Sequence, residues 1–175
     1  MEKTIVPTET KAAWVSRAAA SGLDVVQVGS FVHPDKVPQM ADTDALFRRL
    51  TAPSSQRAGA KRAVLSALVL NEKGLERGLA AGAELFCMGV SASETHSRKN
   101  TGTGTEEAAR RIVAMAKVAL AAGKPVQVAV QSAFGCGYEG RVPESRVLDL
   151  CRRYVPRIQA FSVAHSFGVS GGLKC

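Results

Sequence analysis

Short apolar runs alternate with amphipathic helical patterns along this chain of 175 residues, and this alternation constrains the fold more than any other feature. The apolar runs are four to eight residues long and carry hydrophobic side chains on both faces. Such runs, separated by helices, are typical of parallel strands that are covered on both sides. They predict an α/β fold with right-handed crossovers and strands at residues 25–28, 63–70, 85–90, 126–130 and 161–164.

Helix start and stop signals lie between these runs. The clearest helix is predicted over 105–122, where Thr103 and Glu106 have the spacing of a capping box and Gly123 follows as a stop. A helix over 8–20 is expected to turn Trp14, Val15, Ala18 and Ala19 inward. Further helices are predicted over 42–50, over 71–82 and between Pro143 and Pro156.

Composition is typical of one cytoplasmic globular domain over residues 1–175. Apolar residues make up 46% of the chain and charged residues 22%, with no low-complexity tract. No apolar run approaches the roughly 20 residues that span a bilayer, and the first residues lack a signal-peptide pattern. The four cysteines show no C-x-x-C spacing, so reduced thiols are expected.

The net charge of +8 raises the question of a nucleic-acid partner. The basic residues come as pairs on predicted helices, without the interleaved aromatic residues of a base-stacking surface. We therefore expect solvated helix faces, no nucleic-acid partner and no membrane partner. The positive field would instead attract an anionic small substrate.

Polar residues and glycines concentrate where the predicted strands end. In a parallel sheet these carboxyl ends share one edge, which is where α/β proteins place their active sites. This pattern predicts a small-molecule site but leaves the sheet type open. Five strands in 175 residues suit a flavodoxin-like doubly wound sheet, whereas a complete (β/α)8 barrel takes about 250 residues.

Five segments, in the same order along the chain, resemble the hydroxymethylglutaryl-CoA lyase family. The most specific is VGSFVHPDKVPQMADTD at residues 28–44, which is similar to the loop after that family's second strand. The others are EKTIVPTETK, LNEKGLERGLAAGAE, SASETHSRKNTGTGTEEA and QSAFGCGYEGRV. The resemblance covers nearly the whole chain and implies an incomplete TIM-type (β/α)8 barrel that lacks the first strand and the last two units.

The resemblance also implies a chemistry. Members of the family use a divalent metal, Mg²⁺ or Mn²⁺, to cleave 3-hydroxy-3-methylglutaryl-CoA into acetyl-CoA and acetoacetate. The family's Arg-Asp-Gly motif would end just before Met1, and its His-x-His metal ligands and catalytic Cys would follow Cys175. We therefore expect no metal ligand, no catalytic residue of the family and no activity in the isolated chain.

Matching positions suggest residues that would bind the acyl-CoA substrate. Gln27 stands where the family commonly has Glu, and His165-Ser166 stands where it commonly has Asp-Thr. A lone histidine is a poor metal site, so His165, His33 and His96 are not predicted as metal ligands. The predicted substrate-binding residues are Gln27, Ser30, Asn71, Ser93, Glu94, Asn100, Gln131, Cys136, Ser162 and His165.

Three functions remain open at this point. The first is a lyase of this family, and the second is an acyl-CoA condensing synthase of the same barrel family. The third is a non-catalytic fragment. A barrel that lacks strands also leaves open sheet edges, which favour pairing with another chain, so a homo-oligomer is possible.

Overall fold

The structure, a computed structural model, describes residues 4–52 and 62–154. Helices and strands alternate along these segments as the sequence pattern predicts. In chain order the elements are α1 (Thr8–Ala20), β1 (Val25–Ser30), a 3-10 turn (Pro38–Met40), α2 (Thr43–Thr51), β2 (Val64–Leu68), α3 (Glu72–Ala81), β3 (Leu85–Ser91), α4 (Glu94–Thr101), α5 (Thr105–Ala121), β4 (Val126–Gln131) and α6 (Glu144–Tyr154).

The four described strands form one sheet in the order β1-β2-β3-β4. β1 pairs with β2 in parallel, and the register shifts between Gln27 and Gly29, which is a bulge near the carboxyl end of β1. The strand predicted at 161–164 lies outside the described residues. No described helix is long and apolar enough to cross a membrane.

The chain divides into two compact units, residues 1–86 and residues 87–175, and the boundary falls within β3. The core of the first unit contains Phe31, Phe47, Leu65 and Phe86, each at most 1% exposed. The rings of Phe31 and Phe47 lie 5.4 Å apart, within the range of favourable aromatic pairs.

The core of the second unit is built on the apolar face of α5. Ile112, Met115, Ala116 and Ala119 are buried, as the helical periodicity predicts. Alternate residues of β4, namely Val126, Val128 and Val130, are also buried. The apolar stripe of α5 and the apolar run of β4 therefore lie in the core of the second unit, as the sequence pattern predicts.

Three local predictions are wrong. Trp14 is 55% exposed, whereas Ala12, Val15 and Ala19 form the buried face of α1, because a helix only 13 residues long buries one narrow stripe. Thr103 does not cap α5: its N-cap is Gly104, which makes no side-chain cap bond. Residues 94–101, over which the sequence pattern predicts no helix, form α4, whose sequence contains no apolar residues to give a periodic signal.

Candidate functional site

The loop that follows β1 begins at a buried serine. Ser30 is 9% exposed, and its hydroxyl donates to the carbonyl oxygen of Leu68 at 3.2 Å. The backbone amide of Phe31 donates to the same carbonyl oxygen at 3.0 Å. The predicted site residue Ser30 is thus fixed against the carboxyl end of β2, and its oxygen retains acceptor capacity.

Phe31 is seated on a face of α3 that consists of glycines. A Cβ atom at Gly74 would lie 2.6 Å from the carbonyl oxygen of Phe31, and one at Gly78 would lie 2.6 Å from Phe86 Cε1 and 3.1 Å from the Phe31 ring. Only a residue without a side chain permits this approach. Because the two glycines are four residues apart, they lie on the same face of α3 and allow the loop to pack closely against that face.

Two more predicted site residues lie in the first unit. Gln27 is exposed on β1, in register with Ser66 of β2, whose buried hydroxyl has no hydrogen-bond partner. Asn71 is the N-cap of α3, and its Oδ1 accepts from the amide of Gly74 at 2.8 Å. The Asn71 side chain thus has a structural role, as the N-cap prediction required.

Ser93 and Cys136 are the predicted site residues that the structure brings together. The Ser93 hydroxyl, fully buried, donates to Cys136 Sγ at 3.0 Å and accepts from the amide of His96 at 3.1 Å. The amide of Tyr138 also donates to Cys136 Sγ, at 3.4 Å. Burial raises the pKa of the Cys136 thiol, but the bonds from Ser93, Tyr138 and Glu139 outweigh it and leave that pKa below its ordinary value.

Glu139 and Arg146 complete this cluster. The amide of Thr95 donates to Glu139 Oε1 at 2.6 Å and lowers the pKa of that carboxyl. Arg146 Nη1 lies 3.2 Å from Glu139 Oε2 and also donates to the carbonyl oxygen of Ala92 at 3.2 Å. The loop after β4 is thereby tied to the start of α4.

Glu94 caps a helix. Its Oε2 accepts from the amide of Thr105 at 2.9 Å, at the start of α5, and its Oε1 pairs with Arg98 at 2.7 Å. The Thr105 amide is the main reason that the pKa of Glu94 is lowered. Asn100 lies farther along α4, near its carboxyl end, and is exposed.

Gln131, at the end of β4, lies over the backbone of β3. A Cβ atom at Gly89 would be 2.6 Å from the Gln131 side-chain Nε2, so the glycine leaves room for this amide. The last two predicted site residues, Ser162 and His165, lie outside the described residues. The predicted thiols at Cys87, Cys136 and Cys151 are confirmed as free of disulfides.

The described residues do not fit a divalent metal. Within 4–52 and 62–154, no three His, Cys, Asp or Glu side chains are grouped so that they could hold an ion. Metal dependence is a general property of the lyase family that the sequence resembles.

Sequence reasoning did not select Glu139 or Arg146 as functional. The only sequence signal was that Glu139 lies within the glycine-rich segment after β4. Arg146 follows 7 residues later, on α6, and its contact with Glu139 depends on how that loop folds.

Known proteins support the resemblance over most of this chain. It is 36% identical over 152 residues to the cytoplasmic 3-hydroxy-3-methylglutaryl-CoA lyase of Danio rerio, covering 87% of this chain and 43% of the relative. It is 34% identical to the mitochondrial hydroxymethylglutaryl-CoA lyase of Rattus norvegicus over 169 residues, covering 96% of this chain and 50% of the relative. No protein-family profile matches.

A solved structure supports the fold. The Bacillus subtilis HMG-CoA lyase superposes with a TM-score of 0.83 at 28% identity, covering 97% of this chain and 55% of that one. The chain therefore spans about half the length of the relatives it matches. The flavodoxin-like alternative is set aside, and the incomplete barrel is confirmed.

The fold and these matches relate the chain to the (β/α)8 barrels of the hydroxymethylglutaryl-CoA lyases. This chain is a homologue of these lyases and corresponds to about half of their length.

Proposed function

We propose that the chain forms the substrate-binding part of a hydroxymethylglutaryl-CoA lyase, within a single barrel domain that residues 1–175 share with further strands. The observation that carries this proposal is the identity of 32–36% to lyases of this name across 85–99% of the chain. The reaction is cleavage of a 3-hydroxyacyl-CoA to acetyl-CoA and a keto acid. The metal proposed for the whole enzyme is Mg²⁺ or Mn²⁺.

Three of the proposed binding residues lie at or just after the carboxyl ends of described strands: Ser30 ends β1, Ser93 follows β3 and Gln131 ends β4. Gln27 and Ser30 would supply neutral polar groups from β1, and Gln131 an amide from β4. Ser93 and Cys136 would supply a polar contact through the hydroxyl and the thiol, which lie 3.0 Å apart. The full proposed set is Gln27, Ser30, Asn71, Ser93, Glu94, Asn100, Gln131, Cys136, Ser162 and His165.

The test uses a chimera of the Bacillus subtilis lyase in which this chain replaces the matching half. The chimera is incubated with 3-hydroxy-3-methylglutaryl-CoA and either Mg²⁺ or Mn²⁺, and acetyl-CoA and acetoacetate are measured by mass spectrometry. We expect both products in equal amounts. A chimera that unfolds cooperatively yet releases neither product would contradict the proposal.

The isolated chain gives the second arm of this test. Calorimetric titration with the same thioester measures whether these residues bind it without the rest of a barrel. The matched pair is Ser30→Ala, which removes a proposed binding hydroxyl, and Ser145→Ala, which removes an exposed hydroxyl at the start of α6. We expect weaker binding only for Ser30→Ala.

Self-association is a further part of the proposal. β1 and β4 are the outer strands of the described sheet, and Val25 of β1 is 44% exposed. An apolar outer strand favours pairing with a second copy. Light scattering should report a dimer or a larger oligomer, and Val25→Lys should shift it toward monomer; a monomer at all concentrations would contradict this.

The proposed location is the cytoplasm, where reduced thiols persist. Cytoplasmic relatives from Danio rerio and Homo sapiens support it, although mitochondrial relatives exist as well. Fractionation of cells that express the chain tests this location directly.

A further inference from the structure

The loop between β1 and α2 is held at both of its ends by cations from neighbouring helices. Arg77 of α3 donates through Nη1 to the carbonyl oxygen of Val32 at 3.0 Å. Lys11 of α1 donates through Nζ to the carbonyl oxygen of Gln39 at 2.7 Å. The two contacted carbonyls are seven residues apart and bracket the loop.

Each cation is oriented by an acid at the start of α2. Arg77 pairs with Asp44 through Nη2 and also donates through Nε to Asp44 Oδ1 at 3.2 Å. Lys11 Nζ lies 2.6 Å from Oδ1 of Asp42, the N-cap residue of α2. An acid here also interacts favourably with the positive end of the helix dipole.

The side chains that form these contacts are largely shielded from water. Lys11 and Asp42 are 17% and 26% exposed, and Arg77 and Asp44 are 24% and 22% exposed. The guanidinium of Arg77 also lies 5.6 Å from the centre of the Phe31 ring. Partial burial makes the hydrogen bonds from these charged donors stronger than they would be at a fully solvated surface.

The middle of the loop differs from its ends. His33 is 63% exposed and Asp35 91% exposed, and they form the centre of a turn in which the amides of Lys36 and Val37 donate to the His33 carbonyl. The bonds of this turn are local, so the placement of the exposed middle depends on where the two ends of the loop are held.

We infer that Arg77 and Lys11 are positioning residues that set the shape of this loop at the mouth of the acyl-CoA site. They act through the carbonyls of Val32 and Gln39 and do not touch the substrate. The ion pairs with Asp44 and Asp42 orient the donors, and the donors fix the loop. This inference rests on the proposed function only in assigning a CoA thioester as the molecule that the loop faces.

The test separates the carbonyl contact from the ion pair. Arg77→Met removes both the ion pair and the donor to Val32 while keeping an apolar stem of similar length. Asp44→Asn removes the ion pair but leaves Arg77 able to donate to Val32. Both variants lose a comparable ion pair, so a merely structural role predicts similar effects for the two.

The first readout, hydrogen exchange at the amides of Lys36 and Val37, needs no ligand. We expect exchange about tenfold faster in Arg77→Met than in wild type, and a change of less than about threefold in Asp44→Asn. Equal acceleration in both variants, or in neither, would overturn the inference. Lys11→Met against Asp42→Asn gives the parallel comparison at the amides of Met40 and Ala41.

The second readout is the Kd for 3-hydroxy-3-methylglutaryl-CoA measured on the same proteins. We expect Arg77→Met to raise the Kd about tenfold, equivalent to about 1.4 kcal/mol, and Asp44→Asn to raise it less than about threefold. If wild type binds no thioester, the proposed function fails, while hydrogen exchange still decides whether Arg77 positions the loop.

Discussion

The hydroxyl of Ser93 donates to the Sγ atom of Cys136 at 3.0 Å, across 43 residues of sequence. The same hydroxyl accepts from the His96 amide and so begins α4. One buried side chain therefore both caps a helix and lowers the pKa of the Cys136 thiol through the hydrogen bond that it donates.

Removal of the Ser93 hydroxyl should slow the reaction of Cys136 with alkylating agents at neutral pH. Ser93→Ala removes the strongest bond that lowers the pKa of the thiol, so a smaller fraction is thiolate. The measurement is the pH profile of iodoacetamide labelling, in a background where Cys87, Cys151 and Cys175 are replaced by serine. The midpoint should move to higher pH than in Ser145→Ala; an unchanged midpoint would contradict the assignment.

The same substitution should also reduce stability. Loss of an N-cap serine costs about 1 kcal/mol, and we expect a decrease of that size in the free energy of unfolding of Ser93→Ala. Urea denaturation followed by circular dichroism measures it. The Ser145→Ala control should stay within about 0.5 kcal/mol of wild type, because that residue is exposed.

Gly74→Ala should destabilise the chain by about 1–3 kcal/mol, although alanine is the better helix former. The added Cβ would lie 2.6 Å from the backbone oxygen of Phe31, which cannot move without displacing the loop. Thermal unfolding tests this prediction. Lys73→Ala, one residue earlier and exposed, is the control, and a stabilised Gly74→Ala variant would show that Phe31 does not contact α3 so closely.

Glu94 should contribute stability above its ordinary pKa of 4.5 and lose it as the pH falls through its lower folded-state pKa. Stability falls as the pH is lowered because the unfolded state binds the Glu94 proton more tightly than the folded state does. Glu94→Gln should cost about 0.5 kcal/mol at pH 7, a modest value because the side chain is 47% exposed, and close to nothing well below pH 4.5.

Thr103→Ala is the matched variant for this prediction. The sequence pattern assigns the capping side chain of α5 to Thr103, whereas in the structure the Glu94 carboxylate accepts the hydrogen bond from the Thr105 amide. Denaturation between pH 3 and pH 7, about the range over which carboxylates titrate, compares the two variants. A larger cost for Thr103→Ala than for Glu94→Gln at pH 7 would favour the sequence-based assignment.

The fold was predictable because its signals are local. The buried β-strands follow from short apolar runs between helices, and the apolar stripe of α5 follows from a period of about 3.6 residues. The observed ends differ from the predicted ones by only a few residues. The Asn71 cap was predictable for the same reason, since its partner Gly74 lies three residues away.

The site was less predictable because its contacts join distant residues. The Glu94 carboxylate accepts a hydrogen bond from the Thr105 amide at the start of α5, 11 residues away in sequence. Arg77 donates to the carbonyl oxygen of Val32, 45 residues away in sequence. Neither contact therefore leaves a short-range pattern in the sequence. Family resemblance located Ser93 and Cys136 without predicting that their side chains bond to each other. The polar helix α4 was missed because periodicity detects only helices with an apolar face.

We propose that this chain supplies the acyl-CoA-binding wall of a hydroxymethylglutaryl-CoA lyase barrel. The most direct measurement is product release by the chimera with the Bacillus subtilis lyase, in the presence of Mg²⁺ or Mn²⁺. We expect acetyl-CoA and acetoacetate in equal amounts from 3-hydroxy-3-methylglutaryl-CoA. A folded chimera that releases neither product would contradict this proposal.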